Sequence, residues 1–438
     1  MSSGNVEINY NIVLKRIFIG HTSMIQEKLK EAMLFFSLAA CIGLFAVIFA
    51  ISCSYAFNGF LYMFHYVGYW VLIIIPCGFF VIVYLIKNYF PEAEGSGIPQ
   101  SIALGHTEDI AKLTKFFVAR TIITKYIFIV LGTLFGATIG REGATVQIGA
   151  TIMVAGRKNL SQIYRKTLLK AGAAAGLAAA FNTPLGGIVF LFEELAKGIS
   201  VERNIFKITA IAVSGVIAVL LVGNHSYYGT VASEYLYYDW RIFIVAIIIG
   251  IFAALNNYMF SKLVYFTTIS KTSILNKVRK EHPYITAIVC GLLVATVGIF
   301  SSGLSFGNGY VESTEALKGT LYLPQSYYLY KMGGSLFSTI SGVPGGYFAT
   351  SLAIGNGIGN FIYNIFAVAN VHQYALLGMV AFLAALTQAP VTSLVMVLQI
   401  TYTQIFTLPL IVACLIATWL SKLLGKSIYD YQIENYLH

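Results

Sequence analysis

Glu142 is the residue of this sequence whose surroundings most strongly indicate chemistry. It lies in the segment 140–143, Gly-Arg-Glu-Gly, inside otherwise apolar sequence. A carboxylate is costly to bury in such surroundings, and a functional role is therefore the first interpretation. At a helix N-terminus a carboxylate also mimics an anion, and it occupies the anion's place until it is protonated. The alternative is a structural ion pair between Arg141 and Glu142 at an interfacial turn.

Glu193 and Glu194 form a second acidic feature, at the end of a short apolar run that begins at Pro184. Adjacent residues on a helix point about 100° apart, so the two carboxylates cannot face the same way. We expect one to be structural and hydrogen-bonded within the protein, and the other to face a water-filled path as a proton relay. Alternatively, both acids mark a cytoplasmic helix end.

Two glycine-rich segments offer groups that could hold an anion. Residues 95–99 read Gly-Ser-Gly-Ile-Pro, in which the glycines allow close backbone approach and Ser96 offers a hydroxyl donor. Residues 345–349 read Gly-Gly-Tyr-Phe-Ala, and their backbone amides would open a second helix. With this segment we group Tyr429, whose phenol could donate to an anion. Taken alone, residues 95–99 are also compatible with an ordinary helix N-cap.

The elements that position these residues must cross a lipid bilayer. Of the 438 residues, 58% are hydrophobic and 11% are charged, whereas soluble chains carry roughly a quarter charged residues. The run 32–86 holds no Asp, Glu, Lys or Arg. This run is long enough for two membrane helices joined by a short turn near residues 58–66.

The net charge of +10 could indicate a nucleic-acid partner, but its distribution indicates membrane orientation instead. Basic residues cluster in 157–170, in 271–280 and in both tails, whereas 223–240 and 303–317 hold mainly acidic residues. This is the positive-inside asymmetry, and it places both termini in the cytoplasm. We expect no nucleic-acid partner. The five cysteines show no metal-ligand spacing, and neither a metal nor a cofactor is expected.

An internal repeat relates the two halves of the chain. A constant spacing of 206 residues aligns 172–184 with 378–390, and the same spacing pairs Gly140 with Gly346. Segments interrupted by Gly and Pro at matching places in two halves are typical of a site near the membrane midplane. A helix that begins inside the membrane leaves backbone N–H groups unpaired, and these favour an anion. We therefore predict an all-α polytopic membrane protein with two inverted-topology repeats, whose interrupted helices meet at a midplane anion site.

Together these motifs resemble the CLC family of chloride channels and chloride/proton antiporters, in its bacterial branch. The three filter signatures of that family read here as the segments 95–99, 140–143 and 345–349, and the stretch 175–194 is also similar. The resemblance covers the chain from about residue 30 to Tyr429. It implies a secondary active transporter, not an enzyme, that exchanges chloride for protons. It also implies a homodimer in membrane lipid, in the bacterial inner membrane, with one pathway in each subunit.

The resemblance implies roles for the three acidic residues. Glu142 would be the external gating and proton glutamate. Glu194 would be the internal proton glutamate, and Glu193 would be a buried structural partner near the internal proton path.

It also implies an anion cage. Ser96 and Tyr429 would donate hydroxyls to the central anion, and the backbone amides of Tyr347 and Phe348 would complete the cage. The neighbouring residues of the anion site would be Gly97, Ile98, Gly143 and Gly346, with Arg141, Glu193 and Thr350 in supporting positions.

Two positions depart from the family pattern. Ala144 and Thr350 stand where the family has Pro, just inside helix starts, where Pro is favoured but not required. We expect altered local rigidity rather than a lost site. The added hydroxyl of Thr350 near the filter leaves the selectivity for chloride over other anions open.

The alternatives to chloride/proton exchange are a passive chloride channel and a fluoride/proton exchanger of the same fold. Glu194 favours proton coupling, and Ser96 favours chloride, since fluoride-selective relatives usually replace that serine. An intramembrane hydrolase is disfavoured, because the sequence has no His-Glu-x-x-His motif and no convincing nucleophile–base pair.

Along the chain we predict five segments. They are a cytoplasmic N-terminal segment (1–30), a first membrane repeat (31–222), an extracellular-side loop (223–240), a second membrane repeat (241–425) and a short cytoplasmic C-terminal tail (426–438).

Overall fold

The computed structural model of the protein describes residues 4–107, 110–155, 161–195, 205–223, 226–236 and 239–437. Within these ranges the chain forms eighteen α-helices and no β-strand, which confirms the prediction of an all-α protein. Of the predicted basic clusters, residues 157–158 lie outside the described ranges.

The helices are numbered in chain order. The first nine are α1 (Gly4–Val67), α2 (Val71–Tyr89), α3 (Ile98–His106), α4 (Ala119–Leu134), α5 (Glu142–Val154), α6 (Gln162–Phe181), α7 (Pro184–Phe190), α8 (Ile205–Val222) and α9 (Trp240–Thr268). The second nine are α10 (Ile274–Glu281), α11 (Pro283–Phe300), α12 (Tyr310–Leu317), α13 (Tyr327–Ser341), α14 (Phe348–Phe366), α15 (Val371–Thr387), α16 (Pro390–Thr401), α17 (Thr407–Leu424) and α18 (Ile428–Leu437).

Four stretches of the described chain are long and apolar enough to cross a membrane. They are Leu29–Tyr89, which joins α1 to α2, Trp240–Thr268, Pro283–Phe300 and Gln404–Leu424. The pair Ala111–Phe117 and Ala119–Leu134 is a fifth candidate, bent by 51°. The other helices are shorter or less apolar, as expected of interrupted helices that are buried among spans and line a cavity.

The turn between α1 and α2 lies later than the sequence predicted. α1 continues to Val67, and the break is a short 3-10 helix at Gly68–Trp70. Gly68 has a φ of +52°, a left-handed conformation that glycine adopts without steric cost. The prediction of a turn at 58–66 was wrong, because a glycine within an apolar helix does not by itself end the helix. The helix ends instead at the left-handed Gly68.

Equivalent helix pairs pack through equivalent glycines in the two halves. A Cβ added at Gly149 of α5 would lie 2.4 Å from the backbone oxygen of Gly172 of α6. A Cβ added at Gly355 of α14 would lie 2.3 Å from the backbone oxygen of Gly378 of α15. Contacts this close leave no room for a side chain, so each helix pair meets backbone to backbone. The repeat seen in the sequence is therefore also a repeat in packing.

Both halves interrupt their helices in the same way. α6 ends at Asn182 with φ 57°, and α15 ends at Gln388 with φ 58°, so each helix closes with a left-handed residue. Pro184 and Pro390 then take the first positions of α7 and α16, where a fixed φ and a missing N–H favour a new helix. The breaks thus follow from residues that are local to each half.

α7 and α16 lie side by side and run in opposite directions. At the start of α7, the N–H of Gly186 donates to Oε1 of Gln399 of α16 at 2.9 Å. Beyond the end of α7, Oε2 of Glu193 accepts from the N–H of Thr392 at 2.6 Å. The two bonds are related by the spacing of 206 residues. Equivalent helices therefore have opposite orientations, as predicted for two inverted-topology repeats.

A pair of reciprocal hydrogen bonds joins the two halves at their centre. The N–H of Gly140 donates to the carbonyl of Gly346 at 2.9 Å, and the N–H of Gly346 donates to the carbonyl of Gly140 at 2.8 Å. This antiparallel bridge joins the segments that precede α5 and α14. Gly140 and Gly346 are the residues that the spacing of 206 makes equivalent, so the bridge pairs equivalent positions of the two halves.

The predicted C-terminal tail contains α18, which packs against α3 and α9. This contact brings Tyr429 back to the body of the protein, where it is buried. The segment boundaries and their sides of the membrane stay a prediction.

Candidate functional site

The three glycine-rich segments predicted from the sequence meet in space. A Cβ added at Gly143 would lie 2.2 Å from Oγ of Ser96, and one added at Gly346 would lie 3.3 Å from the same oxygen. A Cβ added at Gly97 would lie 2.1 Å from the backbone oxygen of Gly143. Glycine is therefore required at Gly97 and Gly143 for the segments to approach this closely. The Ser96 hydroxyl stands where all three segments converge.

Each segment ends in the N-terminus of a helix. α3 begins at Ile98, directly after Gly97 with its φ of 114°, and the Gly97 N–H donates to Oε1 of Gln100 at 2.9 Å. α5 begins at Glu142 and α14 at Phe348. The first N–H groups of a helix have no intrahelical acceptor and carry partial positive charge. Three such N-termini around one hydroxyl favour an anion.

The Glu142 carboxylate is the charged group nearest to this convergence. The side chain is fully buried, and neither oxygen has a hydrogen-bond partner in the described chain. It faces its own backbone N–H and that of Ala349, without a well-formed bond to either. A Cβ added at Gly140 would lie 2.2 Å from Oε2 of Glu142. The carboxylate thus folds back over Gly140, toward the start of α14.

Arg141 does not pair with Glu142. No ion pair joins the two in the described part of the chain, and Nε of Arg141 is buried without a partner. The guanidinium instead lies 6.0 Å from the ring of Tyr227. The structural ion pair considered as an alternative for this motif is therefore absent there.

Two cavities approach the site and share no lining residue. The first, the Arg141 cavity, has a volume of about 370 Å³. Residues that line the Arg141 cavity include Arg141, Cys53, Asn182, Tyr227, Asn308 and Tyr310. The second, the Ser96 cavity, has a volume of about 290 Å³. Residues that line the Ser96 cavity include Ser96, Lys87, Glu94, Arg279, Tyr347 and Gln432. Glu142 lines neither cavity, but its neighbour Arg141 lines the first, and its other neighbour Gly143 packs against Ser96, which lines the second.

Two hydroxyls at the site have no acceptor. Oγ of Ser96 and the phenol oxygen of Tyr429 are both buried, and both lack a hydrogen-bond partner in the described chain. The Tyr429 hydroxyl is near enough to Glu194, Tyr347 and Glu142 to interact with them electrostatically. Buried donors are normally paired, so these two hydroxyls are available to a bound anion.

Tyr347 and Phe348 contribute their backbone amides rather than their side chains. The first intrahelical bond of α14 runs from the Ser351 N–H to the Tyr347 carbonyl, so the amides of Tyr347 and Phe348 precede it. The Tyr347 phenol turns to the Ser96 cavity, where it accepts from Nε2 of Gln432 at 2.9 Å. Phe348 packs on Phe181, with ring centroids 5.1 Å apart.

Thr350 uses its hydroxyl within the protein. Oγ1 donates to the carbonyl of Tyr347 at 3.0 Å and lies 3.4 Å from Oγ of Ser335, which donates to it. Because the Thr350 proton is already engaged, this side chain has no donor left for an anion. Its bond to the Tyr347 carbonyl ties the side chain to the start of α14.

Glu193 and Glu194 face different surroundings, as their adjacency on a helix requires. The Glu193 carboxylate accepts from the N–H groups of Val391 and Thr392 at 3.1 and 2.6 Å. It therefore caps the N-terminus of α16. Glu194 is half-buried in the turn of π-helix at Leu191–Leu195 and lies on the side of Tyr429.

The first prediction concerns this cap. Glu193→Gln should lower the free energy of unfolding by about 1 to 2 kcal/mol, because a neutral amide oxygen replaces a charged acceptor of two bonds. Thermal unfolding in detergent measures the change. The matched control is Gln399→Ala, which removes the equivalent neutral bond in the other half. An unchanged melting temperature in Glu193→Gln would contradict the capping role.

Sequence reasoning did not find Gln432 or Arg279. Gln432 is three residues after Tyr429, on the same face of α18, so its position beside the site was available from helix periodicity. Arg279 belongs to the basic cluster 271–280, which was interpreted only as an orientation signal. That cluster also supplies charge to the Ser96 cavity.

Comparison with known proteins finds a matching family model and solved structures of similar fold. A family model described as "Voltage gated chloride channel" matches residues 77–422. The crystal structure of a slow cyanobacterial Cl⁻/H⁺ antiporter is similar, with a TM-score of 0.77 and 22% identity over 92% of this chain and 97% of that one. A CLC-type fluoride/proton antiporter has a TM-score of 0.78 and 19% identity, with 92% and 98% of the two chains covered. A eukaryotic CLC transporter has a TM-score of 0.68 and 20% identity, over 93% and 74%.

Proposed function

Because the chain belongs to the voltage gated chloride channel family, which its match over residues 77–422 shows, we propose that this membrane transport protein exchanges chloride for protons. The observation that carries the proposal is the position of Glu142. Its buried carboxylate is unpaired among the described residues and begins α5, between Arg141, which lines one cavity, and Gly143, which packs on Ser96 of the other. An anion that passes between the cavities must displace a group that can also carry a proton.

Chloride is the anion that the site residues support. Ser96 and Tyr429 offer neutral hydroxyls, and the amides of Tyr347 and Phe348 add donors without a full positive charge. The Ser96 cavity also holds Lys87 and Arg279, which raise the local anion concentration. The solved structures of similar fold are named for two different anions, so the fold alone does not distinguish chloride from fluoride. Ser96 is the residue that favours chloride.

Proton coupling follows from two separate acids. Glu142 occupies the anion path, whereas Glu194 lies toward Tyr429 and outside the two cavities' lining. A proton can move through water or by side-chain exchange where a chloride lacks continuous coordination. Chloride and protons therefore both pass the position of Glu142, and only protons continue by way of Glu194.

Reconstitution into liposomes tests the exchange directly. Chloride efflux and internal pH are recorded together in the same vesicles, with a chloride gradient as the only driving force. An exchanger drives protons against their gradient. Chloride flux without proton movement would establish the passive channel, and fluoride-driven proton movement without chloride flux would establish the fluoride exchanger.

We further propose that the protein is a homodimer in the bacterial inner membrane, with both termini in the cytoplasm. Residues such as Leu415, Trp419 and Leu423 of α17 are 54%, 62% and 65% exposed, and such apolar surface needs lipid or a second subunit. Light scattering of the detergent-solubilised protein measures the subunit count, and a mass of one chain would contradict the dimer.

The second prediction concerns the anion cage. Tyr429→Ala and Ser96→Ala should each weaken chloride binding by about 1 kcal/mol, the net contribution of one neutral hydrogen bond. Isothermal titration calorimetry of the protein in detergent measures the affinity. Tyr431→Phe, which removes a nearby hydroxyl on the same helix, is the control. Unchanged affinity in both alanine variants would remove these hydroxyls from the anion site.

A further inference from the structure

The Ser96 cavity contains a carboxylate as well as cations. Lys87, Arg279 and Lys280 line it together with Glu94, two residues before Ser96. An acid at the mouth of an anion cavity lowers the attraction for the anion. Neither the anion cage nor the two proton acids explains Glu94.

Glu94 is held between two of the cations. Its Oε2 lies 2.7 Å from Nζ of Lys87, and its Oε1 lies 2.7 Å from a terminal nitrogen of Arg279. The side chains of Lys87, Glu94 and Arg279 are 33%, 29% and 15% exposed. Such partly buried, charge-assisted bonds are less screened by salt than pairs on an open surface.

Arg279 also contacts the last turn of α13, which precedes the third glycine-rich segment. Its Nε donates to the carbonyl of Ile340 in the last turn of α13 at 2.9 Å, and α13 ends at Gly342, with φ 92°. A Cβ added at Gly342 would lie 3.9 Å from both Arg279 and Glu94. The guanidinium therefore connects the segment that carries Ser96 to the last turn of α13.

We propose that Glu94 is a tethered anion that lowers the chloride affinity of the Ser96 cavity, and that its bridge to Arg279 positions the first glycine-rich segment against the end of α13. The inference rests on the proposed function for its chloride part. The carboxylate neutralises part of the positive charge that lines the Ser96 cavity, so that chloride enters the cavity but does not remain bound in it. Glu94 and Arg279 act as positioning residues, because neither belongs to the anion cage.

Glu94 keeps its charge under the conditions in which proton exchange is measured. Burial would raise its pKa, but Arg279 and Lys87 outweigh the burial and hold the pKa below its usual value. The bridge is therefore present at neutral and mildly acidic pH, and it is lost only as the pH falls through this lowered pKa. The other titratable or charged groups that face Glu94 are Lys87, Lys125, Arg279, Lys280, Tyr347 and Tyr436.

Chloride titration tests the electrostatic part. Glu94→Gln should lower the chloride dissociation constant by about threefold, because an uncompensated cationic cleft concentrates anions. Added sodium isethionate should shrink the difference by screening. Glu94→Asp keeps the charge and should restore much of the original affinity. The control is Glu92→Gln, an acid in the same loop with no ion pair among the described residues. Equal affinities in Glu94→Gln and Glu92→Gln would overturn the tethered anion.

A double-mutant cycle on thermal unfolding tests the bridge without any transport measurement. Glu94→Gln, Arg279→Gln and the double variant should show non-additive losses, with the double variant losing less stability than the sum of the two single losses. Additive losses would overturn the bridge. If the unmutated protein does not bind chloride, the proposed function fails, while the cycle still decides whether Glu94 and Arg279 are coupled.

Discussion

Glu142→Gln is expected to abolish proton movement while chloride flux continues. Gln is almost isosteric with Glu but cannot release or take up a proton at any ordinary pH, so the fully buried group between the cavities loses its proton cargo. Without its negative charge it also competes less well with chloride for the three helix N-termini. Chloride flux should therefore become independent of pH, and proton uptake should fall to the level of empty vesicles.

The measurement is paired chloride efflux and internal pH in one vesicle preparation. Glu315→Gln serves as the control, because Glu315 lies on α12 and lines neither cavity. Proton pumping by Glu142→Gln against a proton gradient, driven by chloride, would show that the carboxylate is not the proton carrier.

Glu194→Gln is expected to stop protons and spare chloride. Glu194 lines neither cavity and interacts with the Tyr429 hydroxyl across the anion site. Its counterpart in the second half is Ile400, so only one half carries this acid, as befits an added function rather than a structural pair. Chloride binding by calorimetry should remain within error of the unmutated protein, while proton transport is lost.

A variant of the neighbouring Glu193 distinguishes a proton role of Glu194 from a general effect of removing an acidic residue. Glu193→Gln breaks the cap on α16 and should reduce stability or yield while coupling persists in the protein that folds. Intact coupling of proton to chloride movement in Glu194→Gln would show that Glu194 is not the internal proton acid. Proton-free chloride flux in the unmutated protein would favour the channel.

The inverted repeat was predictable because its signals are local. Pro184 and Pro390 start helices wherever they occur after a left-handed residue, and Gly140 and Gly346 keep their spacing of 206 residues. Glycine and proline act through their own backbone, so their pattern in the sequence carries over to the structure.

Contacts between distant residues were not predictable in the same way. The partner of Glu193 is 199 residues away at Thr392, and Arg279 reaches Glu94 across 185 residues. No periodicity connects such pairs. Only the packing of α7 against α16, and of α10 near the Ser96 cavity, brings them together.

The reciprocal bonds between Gly140 and Gly346 limit the mechanics of transport. They join the segments that precede α5 and α14, and neither residue has a side chain that could yield or slide. Opening the halves like a clamshell would break both bonds in a place where water cannot replace them, which costs several kcal/mol. A cycle in which one carboxylate swings while the scaffold stays rigid avoids that cost. The turnover rate would then be set by a rotamer barrier and a protonation step, and cross-links between the halves should leave transport running.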